Sequence, residues 1–105
     1  GLTAPVHAAR KLVEKLGWRT SDVDIWEVNE AFAVVAMAFI RELELDPDKV
    51  NVHGGACALG HPIGASGARI LVSLLTALDQ TGGTKGLAAI CLGGGEGIAV
   101  AVEVA

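Results

Sequence analysis

The sequence predicts an α/β layer closed by an antiparallel strand pair, and three observations carry that prediction. Segments with helical apolar spacing alternate with short runs rich in Ile, Val and Trp, which is the pattern of helices layered on a sheet. One stretch, Asn51-Val-His-Gly-Gly-Ala-Cys-Ala-Leu-Gly-His-Pro-Ile-Gly-Ala-Ser-Gly67, holds five glycines in seventeen residues and joins a short apolar run to a long apolar helix. The last two apolar runs flank Gly93-Gly94-Gly95-Glu96-Gly97, a turn suited to a hairpin at the edge of a sheet.

In order along the chain, Thr3 is placed to cap a first helix, with Pro5 in its first turn. Val6, Ala9, Leu12, Val13 and Leu16 share one face and Gly17 ends it. Arg10, Lys11, Glu14 and Lys15 line the opposite face, so this helix belongs on the surface. After a turn over 20–24, Ile25-Trp-Glu-Val-Asn29 reads as a short strand, because these side chains favour a pleated surface. A second helix follows over 30–43, apolar nearly all round until Arg41 and therefore expected to be buried on most sides. Asp46-Pro47-Asp48 breaks the chain, and a short strand is expected over 49–52. The helix after the glycine-rich stretch, 64–80, carries a narrow polar stripe of Ser66, Arg69, Ser73, Thr76 and Gln80 and is apolar elsewhere, as in a helix packed on three sides. Gly82-Gly83 stops it. A buried strand over 85–92 and a closing strand over 98–104 complete the chain. There is no internal repeat and no linker.

The totals narrow the functional classes. The 105 residues make at most one modest domain. Hydrophobic residues are 51% and the mean hydropathy is +0.50, high for so short a chain, which predicts faces buried against something outside it. The longest apolar run, Ala31 to Ile40, is ten residues, too short for a membrane span of about 20. Net charge is −4 with no Lys/Arg cluster and only two Trp and two Phe, so nucleic acid is not an expected partner. No signal peptide or basic tract opens the chain. Cys57 and Cys91 form neither a CxxC pair nor a dense disulfide pattern, so reduced thiols of a cytoplasmic protein (or of an organelle matrix in a eukaryote) are expected.

Three polar groups stand at the ends of apolar elements, each beside a backbone break: Asn29, His61 and Cys91. Pro62 pushes His61 out of the helical region, and the surrounding glycines let the backbone pass close to another group. One imidazole is thereby held at the mouth of a helix on a turn almost free of side chains. Alone, such a histidine would read as a structural group in a glycine-rich loop. Cys91 ends an apolar strand and is followed by three glycines, whose N–H groups can approach an oxyanion closely. A thiol there serves as a nucleophile, a proton carrier or a small buried hydrophobe. The ends of strands are where open α/β folds bind ligands.

Asn29-Glu-Ala-Phe32, the run Gly54-Gly55…Gly60-His61-Pro62…Gly64…Ser66-Gly67, and Cys91-Leu-Gly-Gly-Gly95 closely resemble the three C-terminal motifs of thiolases, the acyl-CoA C-acyltransferases. The match is in order and covers essentially the whole chain. Ketosynthases share the fold but place a histidine or asparagine where Cys91 stands, which favours thiolase. The resemblance implies a mixed sheet with helices on both faces. It also implies acyl transfer between acyl-CoA molecules, with coenzyme A thioesters as substrates and no prosthetic group. By the same resemblance, His61 would activate a nucleophilic cysteine and help bind a thioester oxygen. Asn29 would hold a water that completes that oxyanion hole, Cys91 would be the acid/base, and the Gly93 N–H would serve a second oxyanion hole. Phe32 would line the pocket. Asn29, His61 and Cys91 are then expected within roughly 8 Å of one another, with a positive φ at Gly55 or Gly60. Cys57 reads as a small core residue, Glu30 and Ser66 as groups holding the loop and the helix start, His7 and His53 as structural or surface groups, and Arg69 as a packing or interface residue.

Thiolases attack with a cysteine in an N-terminal half, and no motif here matches it. The resemblance therefore implies the last quarter or so of a thiolase, needing its N-terminal half and working as a homodimer or homotetramer. A first strand preceding Gly1 is expected to lie mid-sheet, leaving an interior gap that would make the chain alone dimerise, swap elements or aggregate. The competing reading is a non-catalytic fragment or assembly domain.

Overall fold

The computed structural model describes residues 3–28, 33–52, 66–91 and 97–105. Helix α1 (Thr3–Lys15) is followed by a single 3-10 turn, Thr20–Asp22, strand β1 (Ile25–Val28) and helix α2 (Ala33–Leu43). A second 3-10 turn, Pro47–Lys49, precedes helix α3 (Ser66–Thr81), strand β2 (Lys85–Cys91) and strand β3 (Gly97–Glu103).

The helix ends follow from local chemistry. Gly17 stands at φ 72°, so the Trp18 N–H reaches back to the Val13 carbonyl at 3.0 Å and the Gly17 N–H to Glu14 at 3.0 Å, which closes α1. Gly82, at φ 73°, ends α3 in the same way, with the Gly83 N–H on the Leu78 carbonyl at 3.0 Å. α2 ends without a glycine: Glu44 takes φ 55°, and the Leu45 N–H reaches the Ile40 carbonyl at 3.0 Å.

The sheet is mixed, in the order β1-β2-β3. β1 runs parallel to β2, with Ile25 opposite Gly86 and Val28 opposite Ala89. β2 runs antiparallel to β3, with Lys85 opposite Glu103 and Cys91 opposite Gly97. Side chains alternate across this sheet. On one face, Trp26, Val28, Leu87 and Ala89 pack with Val6, Ala9 and Val13 of α1 and Phe39 and Leu43 of α2. On the other, Ile25 and Ala88 pack with Ile70, Leu74, Ala77 and Leu78 of α3. Helices thus cover both faces, and the closing pair is antiparallel at an edge, as the sequence predicts.

Asp24 ties the start of β1 to the start of β2. Its carboxylate accepts from the N–H groups of Thr84 at 2.9 Å and Lys85 at 3.1 Å, while its own N–H donates to the Lys85 carbonyl at 2.8 Å. Donation by Lys85, then Thr84, holds its pKa below the ordinary 3.8.

Three expectations are corrected. β1 pairs directly with β2, and β2 has β3 on its other side, so the expected interior gap does not lie between the described strands. The segment 49–52 is no strand: Val50 makes a single parallel bridge to Trp26, and Asn51 then takes φ 49°, which ends any extended run. α2 is not covered all round within this chain, because Met37 is 58% exposed. α3 likewise leaves Val72 and Leu75 open to solvent.

Candidate active site

The direction of the elements gathers several chain segments at one edge of the sheet. β1 and β2 are parallel, so Val28 and Cys91 both end at the same edge. By register, Val28 lies opposite Ala89, two residues before Cys91; strand spacing puts the ends of β1 and β2 about 8 Å apart. α3 packs on β1 and β2, and only residues 82–84 join its last turn to the start of β2. The helix therefore runs back along the sheet, and its first turn, at Ser66, reaches that same edge. The N–H groups of a helix's first turn have no acceptor within the helix, and they bring a partial positive charge there.

β3 starts at this edge too. An added Cβ on Gly97 would lie 2.6 Å from Pro5 Cα and 2.7 Å from Pro5 N, so the first turn of α1 sits directly against the residue paired with Cys91. Only a residue without a side chain permits that approach. In the sequence Gly97 stands among the glycines of a turn; its packing role is set by α1, distant in the chain.

Of the residues singled out from the sequence, Cys91 is placed at the C-terminal end of the central strand. Asn29, Phe32, His61 and Gly93 lie outside the described residues, as do Glu30, His53, Cys57 and the two glycines 55 and 60. The expected convergence of Asn29, His61 and Cys91 lies outside them as well. His7 on α1 and Arg69 on α3 are exposed, and Ser66 opens α3.

Two further residues come forward. Asn51 spans the end of β1: the Val28 N–H donates to its Oδ1 at 2.7 Å, and its Nδ2 donates to the Val28 carbonyl at 3.1 Å. The sequence signal was available, since an asparagine between a strand-like valine and a glycine-rich run is a residue that tolerates φ > 0. Glu27 is 3% exposed within β1, a burial that a carboxylate seldom reaches without a partner. Among the described residues no group of three His, Cys, Asp or Glu side chains is gathered as a metal ion would require. No described helix is long and apolar enough to cross a membrane. A shallow cleft beside Trp26, bounded by Thr20, Ser21, Glu44, Asp46 and Lys49, holds no cysteine or histidine.

Comparison with known proteins bears directly on this arrangement. A family model for the thiolase C-terminal domain matches residues 2–104. The cytosolic acetyl-CoA acetyltransferase of Rattus norvegicus is 58% identical over 99 residues, 94% of this chain and 25% of the rat protein. The acetyl-CoA acetyltransferase of Chromobacterium violaceum is 57% identical over 99 residues, with the same coverage of 94% and 25%. The chain thus spans about a quarter of the length of the curated relatives it matches. A thiolase from Ascaris suum, solved in complex with coenzyme A, superposes with a TM-score of 0.91 at 49% identity, over 99% of this chain and 27% of that one. The acetyl-CoA acetyltransferase of Bacillus anthracis gives 0.91 at 49% identity, over 97% and 26%. A strand-end cysteine on a mixed sheet, and a match running through nearly every residue, place the chain in the thiolase family, as a C-terminal domain.

Proposed function

We propose that this chain is the part of an acyl-CoA C-acyltransferase that activates the nucleophile and moves the proton. It would act jointly with an N-terminal half that carries the nucleophilic cysteine. The reaction exchanges two acyl-CoA molecules with a 3-ketoacyl-CoA plus CoA, in ping-pong order through an acyl-enzyme. The observation that carries the reading is the meeting of the ends of β1 and β2 with the start of α3 at one edge, because two of the motif segments leave those strand ends and the third runs into that helix.

Each residue has a chemically apt task. Cys91 takes the α-proton of the acetyl thioester in condensation and gives a proton to the CoA thiolate that leaves when acyl-CoA acylates the enzyme, exchanges to which a thiol is suited. An enolate forms only where its oxygen meets preorganised donors; His61 and a water held by Asn29 supply them. His61 also activates the nucleophile, and the Gly93 N–H serves the hole opposite the acyl-enzyme. Phe32 lines the pocket. Coenzyme A thioesters are the substrates and no prosthetic group is needed, since thioester exchange loads the enzyme, proton transfer makes the enolate, and attack of the enolate carbon on the acyl-enzyme forms the C–C bond and expels the enzyme's thiolate. Exposed apolar residues on α2 and α3, Met37, Val72 and Leu75, are the surfaces expected to meet the N-terminal half and sister subunits in a homodimer or homotetramer.

Thiolysis of acetoacetyl-CoA separates this reading from that of an inert assembly domain. Activity is expected from the chain joined to an N-terminal thiolase half and none from the 105 residues alone. Turnover by the short chain would overturn the assignment of the nucleophile, and an inert extended protein would favour the assembly domain.

A further inference from the structure

Asn51 ties together the roots of two motif segments, and its geometry is costly. It holds φ 49°, in the left-handed region that asparagine tolerates better than most residues but that still strains a side chain. Its N–H donates to the Trp26 carbonyl at 2.8 Å, and its carboxamide takes both backbone groups of Val28, at 2.7 and 3.1 Å. A continuing strand would have satisfied Val28 with no strain. Here the backbone turns away at Asn51 and the side chain completes the ladder in its place. A primary amide offers the same donor and acceptor as a peptide group, so asparagine suits the task; aspartate lacks the donor and glutamine is one methylene too long.

The carbonyl that Asn51 holds belongs to the peptide plane whose nitrogen is that of Asn29. On its other side, Asn51 is three residues before Gly54, where the motif run that carries His61 begins. We propose that Asn51 is a positioning residue for the thioester oxyanion hole. It fixes the Val28 carbonyl, at the peptide that leads into Asn29, against the root of the glycine-rich stretch, and so bears on the hole of Asn29 and His61 from the Asn29 side. This rests on the roles given to those two residues above. Asn51 itself touches no substrate; it acts through Asn29.

The test compares two partial reactions in the protein carrying its N-terminal half. Exchange of the acetyl-CoA methyl protons for deuterium needs the enolate and hence the hole of Asn29 and His61. Transfer of acetyl from acetyl-CoA to labelled CoA uses the hole served by Gly93. Asn51→Asp keeps the size and loses the donor, while Asn51→Gly relieves the φ and removes the clamp. Both are expected to lose deuterium exchange by about tenfold to a hundredfold, as displaced catalytic groups do, with acetyl transfer held within about twofold. Asn29→Ala is the reference and is expected to show the same selective loss. Were Asn29→Ala to leave the ratio of the two reactions unchanged, the role of Asn29 would fall and this inference with it. Were Asn29→Ala selective but the Asn51 variants unaffected, equally impaired in both reactions or unable to fold, Asn51 would be a scaffold residue and only this inference would fall.

Discussion

Replacing Gly97 by alanine places one methyl group where the first turn of α1 already stands. The added Cβ would meet Pro5 Cα at 2.6 Å, Pro5 N at 2.7 Å and the Ala4 carbonyl carbon at 3.0 Å. All three are backbone atoms, so no rotamer change relieves the clash. Ordinary contact begins near 3.4 Å, and α1 must therefore retreat by about 0.8 Å from β3, the difference between 3.4 and 2.6 Å. That helix buries Val6, Ala9 and Val13 in the shared core, so it moves as a body or not at all. Overpacking of this kind costs about 1–3 kcal/mol. The stiffer unfolded chain returns about 0.4–1 kcal/mol, and Gly97 is not among the glycines held at positive φ, so no φ strain adds to the cost. A net loss of about 1.3 kcal/mol is expected, the middle of the first range less the middle of the second, read as a fall of about 0.5–1 M in the urea midpoint with an unchanged slope. Because Gly97 pairs with Cys91, turnover of the extended protein should fall as well. A midpoint equal to or above the parent's would refute the close approach of α1 to β3.

Two other perturbations test the frame beneath the site. The Asp24 pKa lies below the ordinary 3.8, so on acidification the unfolded chain binds its proton first. The stability that Asp24 supplies is thus fully present above that ordinary value and lost as pH falls through the lowered one; Asp24→Asn should flatten this part of the stability-against-pH curve, and parallel curves would contradict the assignment. At Glu44, with φ 55°, the left-handed backbone costs a side chain about 1–2 kcal/mol. Glu44→Gly should therefore raise stability by about 0.5–1 kcal/mol after the added freedom of the unfolded chain is subtracted, and a lowered urea midpoint would contradict it.

The elements that periodicity could mark were legible in the sequence. Val6, Ala9 and Val13 pointed to one face, and all three are buried; Gly17 and Gly82 marked helix ends and stand at positive φ. Motif order alone led to the family. What local pattern could not supply was strand order, since Val28 meets Ala89 across sixty-one positions of chain; an interior gap was inferred where the strands in fact pair. Nor could it separate a strand over 49–52 from one bridge followed by a turn, because Val50 and Val52 look extended while the decision rests on the carboxamide of Asn51. α2 was expected to be buried on the strength of its composition, and Met37 shows that composition reports what a surface requires, not what this chain provides. Of the candidate site, Cys91 was legible because a strand signal ends on it. The role of Gly97 was not, because only the packing of α1 gives it one.

The central claim is that Cys91 moves the proton while the nucleophile lies in the N-terminal half. Cys91→Ala in the extended protein tests it most directly, by following acetyl transfer onto the enzyme and deuterium exchange at the methyl group of acetyl-CoA in the same preparation. The expected result is an acetyl-enzyme that still forms, with methyl exchange reduced by about a hundredfold or more, the contribution typical of a general base. Methyl exchange at the parent's rate would contradict the account, as would a variant that can no longer be acetylated though folded, because Cys91 would then be the nucleophile.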